Sequence, residues 1–157
     1  MGRRAIGKVE TPWFGADPVW FLPLQRDARR RFGSRLRCEA GVDARTYLLD
    51  DFEVIGDDLD YLLTIRFYRD PPFDTFGLPA CDYPEVRTSP VRESKHLFVD
   101  GRQCVWKPGD PPEDRWTSDD GLLILIELVR RQLFFALHWR RTGGKRTGKW
   151  LMEDAHG

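Results

Sequence analysis

The spacing of apolar residues changes twice along the chain, and each change marks a different kind of element. In "PLQRDARRRFG", Leu24, Ala28 and Phe32 recur every four positions, which predicts a helix with Pro23 in its first turn, Gly33 at its stop and arginine on its other face. The period then falls to two. "RLRCEA", "RTYLLDDFEVIG" and "DYLLTIRFYRD" are short and rich in β-branched and aromatic residues, with Leu63, Ile65 and Phe67 alternating against Thr64, Arg66 and Tyr68. They read as three antiparallel strands of a meander, and "YPEVRT" adds a fourth at the edge. After the Pro-rich "KPGDPPEDRW" the helical period returns in a long apolar run, Leu122 to Leu137. Thr117 or Ser118 caps this second helix, Asp119 and Asp120 lie in its first turn, and Arg140 and Arg141 in its last, all with the sign the helix dipole favours. Its polar stripe, Glu127, Arg131, His138 and Arg141, is narrow. A helix with so little polar surface must lie across the sheet, with "TGKWLMEDAHG" folded back against it. The fold class expected is α+β, in the order helix, meander, irregular cysteine loop, long helix.

Length adds the domain count. A chain of 157 residues, 41% hydrophobic, is expected to form one domain over 1–157, with residues 1–16 and the last few flexible. The long apolar run carries Glu127, Arg130 and Arg131, too costly in lipid for a membrane span. The formal charge is zero, so no global basic field drives direct nucleic-acid binding. The charge is nevertheless uneven: the start is basic, seven basic residues and no acid lie between Arg130 and Lys149, and Asp50, Asp51, Glu53, Asp57, Asp58 and Asp60 form an acidic belt between them. These are either solvated faces or the marks of a charged partner protein.

Cys38, Cys81 and Cys104 are odd in number with no paired spacing, and "MGRRAIGKVETPWF" has no continuous apolar core of the signal-peptide kind, so a reducing cytoplasm is the compartment implied. His96, His138 and His156 show no pairing with one another or with the cysteines that would suit a structural zinc. "GGKRTGKW" has the G-x-x-x-x-G-K spacing, but Trp150 replaces the hydroxyl residue that binds magnesium and a helix precedes it instead of a strand, so no nucleotide site is expected there. No cofactor is implied.

Cys104 stands in "KHLFVDGRQCVWKPGD". Ubiquitin-conjugating enzymes carry His-Pro-Asn, a short loop, Gly, two residues, the catalytic Cys and an apolar residue, with a Trp further on before a helix. This chain resembles that pattern through His96, Gly101, Cys104, Val105 and Trp116. It is still more similar to the ubiquitin-conjugating-like proteins of bacterial cyclic-oligonucleotide antiphage operons (CBASS), through His96, Gly101, Cys104, Pro108, Trp116, Trp139, the "TGKW" of Thr147 to Trp150, Glu153 and His156. Leu97 and Phe98 stand where the eukaryotic enzymes have Pro and Asn, and the chain contains no asparagine. The usual side-chain donor to the tetrahedral oxyanion is therefore missing, and backbone N–H groups or a histidine would have to supply it.

The resemblance implies a ubiquitin-conjugating enzyme-like fold and an acyl transferase with Cys104 as nucleophile, assisted by His96 or His156. The partner it implies is the C-terminal tail of a cGAS/DncV-like nucleotidyltransferase, with a separate activating enzyme if the system uses one. A scaffold of the same fold with an inert Cys104, and a cysteine hydrolase using His156 or His96, are the alternatives.

Overall fold

A computed structural model describes residues 13–107 and 109–152. The first helix, α1, spans Pro18–Phe32, and a meander follows of β1 (Leu36–Ala40), β2 (Ala44–Glu53), β3 (Asp60–Tyr68) and β4 (Glu85–Ser89). The strands form one antiparallel sheet in the order β1-β2-β3-β4. The long helix α2 (Leu122–Arg141) and a single turn, α3 (Gly144–Thr147), complete the α+β architecture. No helix among the described residues is long and apolar enough to cross a membrane.

The alternation read in the sequence becomes two apolar rows across the sheet. Cys38, Tyr47, Ile65 and Val86 are successive partners in one, and Leu36, Leu49, Leu63 and Thr88 in the other. Leu49 and Phe52 are both buried although three residues apart, which strict alternation forbids. A register shift between them, with Asp51 at φ 52°, returns Phe52 to the inner face. Against this face lie Leu24 and Ala28 of α1 and Leu122, Leu125, Ile126, Val129 and Leu133 of α2. The long helix thus covers the sheet, as its narrow polar stripe requires.

Both helix starts differ from expectation. Asp17 accepts a hydrogen bond from the Val19 N–H at 3.0 Å and Pro18 occupies the first position, so α1 begins five residues before Pro23. A cap followed by proline is a stronger start signal than a proline alone, and Pro23 leaves only the Val19 carbonyl without its intrahelical donor, in the exposed first turns. At α2, Ser118–Asp120 form a separate 3-10 turn, in which the Asp120 carboxylate accepts from the Thr117 N–H at 2.9 Å. Gly121, at φ 87°, then redirects the chain, and its carbonyl accepts from the Trp116 indole at 2.8 Å. The two aspartates therefore precede α2 instead of lying in its first turn. Its stripe of Glu127, Arg131 and Arg141 also carries the exposed apolar residues Ile124 and Phe134.

The acidic belt and the basic ends meet within the chain. Arg37 pairs with Asp50 at 2.9 Å, Arg35 donates to the Asp50 and Asp51 carbonyls, and Arg130 and Arg141 of α2 donate to the Glu53 and Gly56 carbonyls. The Asp57 side chain is only 5% exposed, with Arg140 at 3.9 Å. Part of the charge asymmetry therefore serves to join α2 to the β2–β3 end of the sheet. Arg3, Arg4 and Lys8 lie outside the described residues.

Candidate active site at the cysteine loop

The segment from His96 to Cys104 is a tight hairpin built by its own sequence. Phe98 and Gly101 close the turn, the Gly101 N–H donating to the Phe98 carbonyl at 2.9 Å, and Gly101 takes φ 90°, which disfavours any residue with a Cβ. Leu97 and Gln103 form a β-bridge, and the Cys104 N–H donates to the His96 carbonyl at 3.1 Å. His96 and Cys104, eight positions apart in sequence, are thereby held opposite one another. The returning strand docks on the sheet: the Gln103 N–H reaches the Val86 carbonyl at 2.8 Å and its side-chain amide reaches Thr88 Oγ1 at 3.3 Å. Arg102 is wedged between the rings of Phe73 and Phe98, 4.0 and 4.4 Å from their centres, and its Nε donates to Asp100 at 2.7 Å.

Two further anchors fix the hairpin. On one side, aromatic contacts run from the core outward, from Phe67 to Trp116 to Trp106 to Tyr83, each pair of rings 6.0 Å apart. They set Trp106 two residues beyond Cys104. On the other side Gln132 of α2, 7% exposed, donates from Nε2 to the carbonyls of both His96 (3.1 Å) and Cys104 (2.6 Å). One amide thus clamps both strands of the hairpin to the long helix. Sequence reasoning passed over Gln132; the signal available was an amide in the middle of a long apolar run, a position that requires a partner.

Cys104 is half-buried, with Sγ 3.4 Å from the Trp106 carbonyl. It lines a groove of about 420 Å³ together with His96, Trp106, Gln132, Phe135 and Trp150. The far wall is the chain's C-terminal segment, and the "TGKW" residues explain how it is held. Thr147 Oγ1 donates to the Thr142 carbonyl at 2.7 Å, the Lys149 N–H donates to Thr142 Oγ1 at 2.7 Å, and Gly148 lies flat on the Trp139 indole, where an added Cβ would come within 2.5 Å of the ring. Trp150 then projects back to the cysteine loop, edge-on to His96 at 4.7 Å and to Phe135 at 5.7 Å. The expected docking on the long helix holds for Trp150, whereas Leu151 is 47% exposed. Glu153 and His156 lie outside the described residues, as does Pro108.

Of the other cysteines, burial pushes the Cys38 thiol above its ordinary range against the opposing pull of Arg45 and Arg29, and burial, then the Asp82 carboxylate, does the same to Cys81. Both shifts favour the protonated, less reactive thiol. Among the described residues no three His, Cys, Asp or Glu side chains cluster in a way that could hold a metal ion. Comparison of the chain with protein-family models, curated proteins and solved structures finds no match.

Proposed function

We propose that this protein is a ubiquitin-conjugating-like acyl transferase that carries the C-terminus of a partner protein as a thioester on Cys104. The observation that supports it most is the joining of two separate sequence signatures at one groove: the hairpin sets Cys104 opposite His96, and the Trp139 and "TGKW" signature brings Trp150 onto His96. A buried, unreactive cysteine needs neither the groove nor the wall.

The reaction has two steps. The Cys104 thiolate attacks an activated C-terminal carbonyl, an acyl adenylate or a thioester; the C–S bond forms as the bond to AMP or to the donor thiolate breaks. An amine then attacks the new thioester, loses its proton to a base, and expels Cys104 as thiolate. On this reading His96, which lines the groove with Cys104, takes that proton, and Trp106, Phe135 and Trp150 give apolar surface to a groove that also carries Lys107, Asp110 and Arg131. On the resemblance to the proteins of antiphage operons, the conjugated partner is the C-terminal tail of a cGAS/DncV-like nucleotidyltransferase and the setting is antiphage defence. An activating enzyme, where the acyl donor is an adenylate, is a separate protein.

A second reading, a binding scaffold with an inert cysteine, has one observation in its favour: Cys104 Sγ lies within donating distance of the Trp106 carbonyl, the geometry of a protonated thiol. Native-state alkylation separates the two. A carrier's Cys104 is modified well before Cys38 and Cys81, and an inert Cys104 is modified no faster than they are.

A further inference from the structure

Cys104 also lines a second, smaller cleft of about 10 Å³, room for a single oxygen atom. It is lined by Cys104, Tyr83, Gln103 and Trp106 among others. Tyr83 and Gln103 are each 5% exposed, yet Gln103 Oε1 and the Trp106 indole N–H are buried without a hydrogen-bond partner, and the Tyr83 hydroxyl, beside the Arg102 guanidinium, has no acceptor for its proton. Three of the nine buried side-chain atoms of this kind among the described residues therefore lie around one cysteine. Each such group is a standing cost to stability, and orphans of this kind concentrate where a reacting atom is to be received. The chain's lack of asparagine adds the chemical need: the tetrahedral adduct on Cys104 must find its oxyanion donor elsewhere.

We propose that Tyr83 is a further catalytic residue of the thioester chemistry, its hydroxyl donating to the oxygen that becomes negative when the carbonyl is attacked at Cys104. The inference rests on the acyl-transfer reading above. In the step concerned, the sulfur lone pair forms the C–S bond and the carbonyl π pair moves onto oxygen. Tyr83 lends a hydrogen bond to that oxygen without giving up its proton, and the pair returns as the bond to the leaving thiolate breaks. Burial, the largest influence, pushes the Tyr83 pKa up; Arg102 opposes it and a charge on Cys104 adds to it, so the phenol stays protonated and remains a donor at neutral pH. Its ring is fixed edge-on against Phe73 at 5.7 Å and Trp106 at 6.0 Å, so the hydroxyl does not have to be ordered when the adduct forms.

The test uses the full chain and a small acyl donor, the N-acetylglycyl thioester of 2-mercaptoethanesulfonate, with transfer to Cys104 followed by intact mass in single turnover. Tyr83→Phe deletes only the orphaned hydroxyl. Loss of one oxyanion donor is expected to slow transfer about 100-fold or more, while the melting temperature stays level or rises because a buried unsatisfied group has gone. That opposite movement of rate and stability is a signature no purely structural tyrosine gives. A Tyr83→Phe rate within about threefold of wild type, where typical donors are worth far more, overturns the inference and leaves the acyl-transfer reading intact. A rate and melting temperature that fall together also overturn it, since Tyr83 would then be acting through packing. If wild-type Cys104 reacts with the thioester no faster than Cys38 and Cys81, the acyl-transfer reading fails first and the inference falls with it.

Discussion

Replacing Gln132 with leucine keeps the size of the side chain and removes its amide. In the native protein Gln132 Nε2 holds the carbonyls of His96 and Cys104 at 3.1 and 2.6 Å, inside a site where the side chain is 7% exposed. The His96 carbonyl keeps the Cys104 N–H as a partner, and both carbonyls lose the amide donor. The two lost hydrogen bonds are worth about 0.5 to 1.5 kcal/mol each, so the variant is expected to be about 1 to 3 kcal/mol less stable. For a chain of this length that is a fall of about 2 to 12 °C in melting temperature. Gln132→Glu sharpens the test, because a carboxylate set against two carbonyls is repelled and only its protonated form can donate. Its folded-state pKa is therefore raised, its stability is greatest below the ordinary glutamate range, and that stability is lost as pH rises. Thermal melts of both variants from pH 5 to 8 give the stability, and iodoacetamide alkylation of Cys104 read by mass gives the site. Gln132→Leu should alter the Cys104 alkylation rate while leaving those of Cys38 and Cys81 alone. A Gln132→Leu protein with wild-type melting and wild-type Cys104 reactivity would refute the view that this amide sets the hairpin.

Gly148→Ala pushes a methyl group into the Trp139 ring, so the chain end should lift and take Trp150 off His96; tryptophan fluorescence should shift to the red and acyl transfer should fall, with the sheet's circular dichroism unchanged. Deleting residues 150–157 should abolish transfer and lower the melting temperature together, and a truncated protein that keeps both would show that the Trp150 wall is dispensable. Asp57 is pushed up by burial but held below the usual carboxylate range by the Tyr61 hydroxyl at 2.6 Å, the Leu59 N–H and Arg140, so it stabilises the fold above the unfolded aspartate pKa and that contribution is lost as pH falls through its folded value. Asp57→Asn should accordingly flatten the acid limb of the melting-temperature profile, and a profile unchanged between about pH 5 and 2 would remove Asp57 from the account of acid stability.

The strands were legible because their inner residues alternate, and the same pattern shows why β4 could be read from only six residues: Val86 and Thr88 point inward and Glu85 and Arg87 outward, where Arg87 pairs with Glu85 at 3.1 Å. The start of α1 was missed because two prolines compete, and only the cap contributed by Asp17 decides between them. The pairing of His96 with Cys104 could be suspected from their spacing around Gly101, but the turn could have been closed in several registers; Gln103 settles it by joining the edge of β4, a contact between distant segments that no local pattern announces. Tyr83 was hidden for the same reason. It sits twenty-one residues before Cys104 in a Pro-broken stretch without periodicity, and the aromatic contacts that bring it to the loop exist only in space. The "TGKW" signature was legible as a pattern before it was legible as a mechanism, since nothing in the sequence says that Gly148 must lie against Trp139.

The most direct test of the central claim is to isolate the protein from cells together with the products of its neighbouring genes and to look for a covalent adduct on position 104. The account predicts that wild-type protein carries an adduct removed by thiols, that Cys104→Ser converts it to an oxyester resistant to thiols and cleaved by hydroxide, and that Cys38→Ser and Cys81→Ser leave it unchanged. An adduct that persists in Cys104→Ala, or none in the wild type and Cys104→Ser alike, would contradict it.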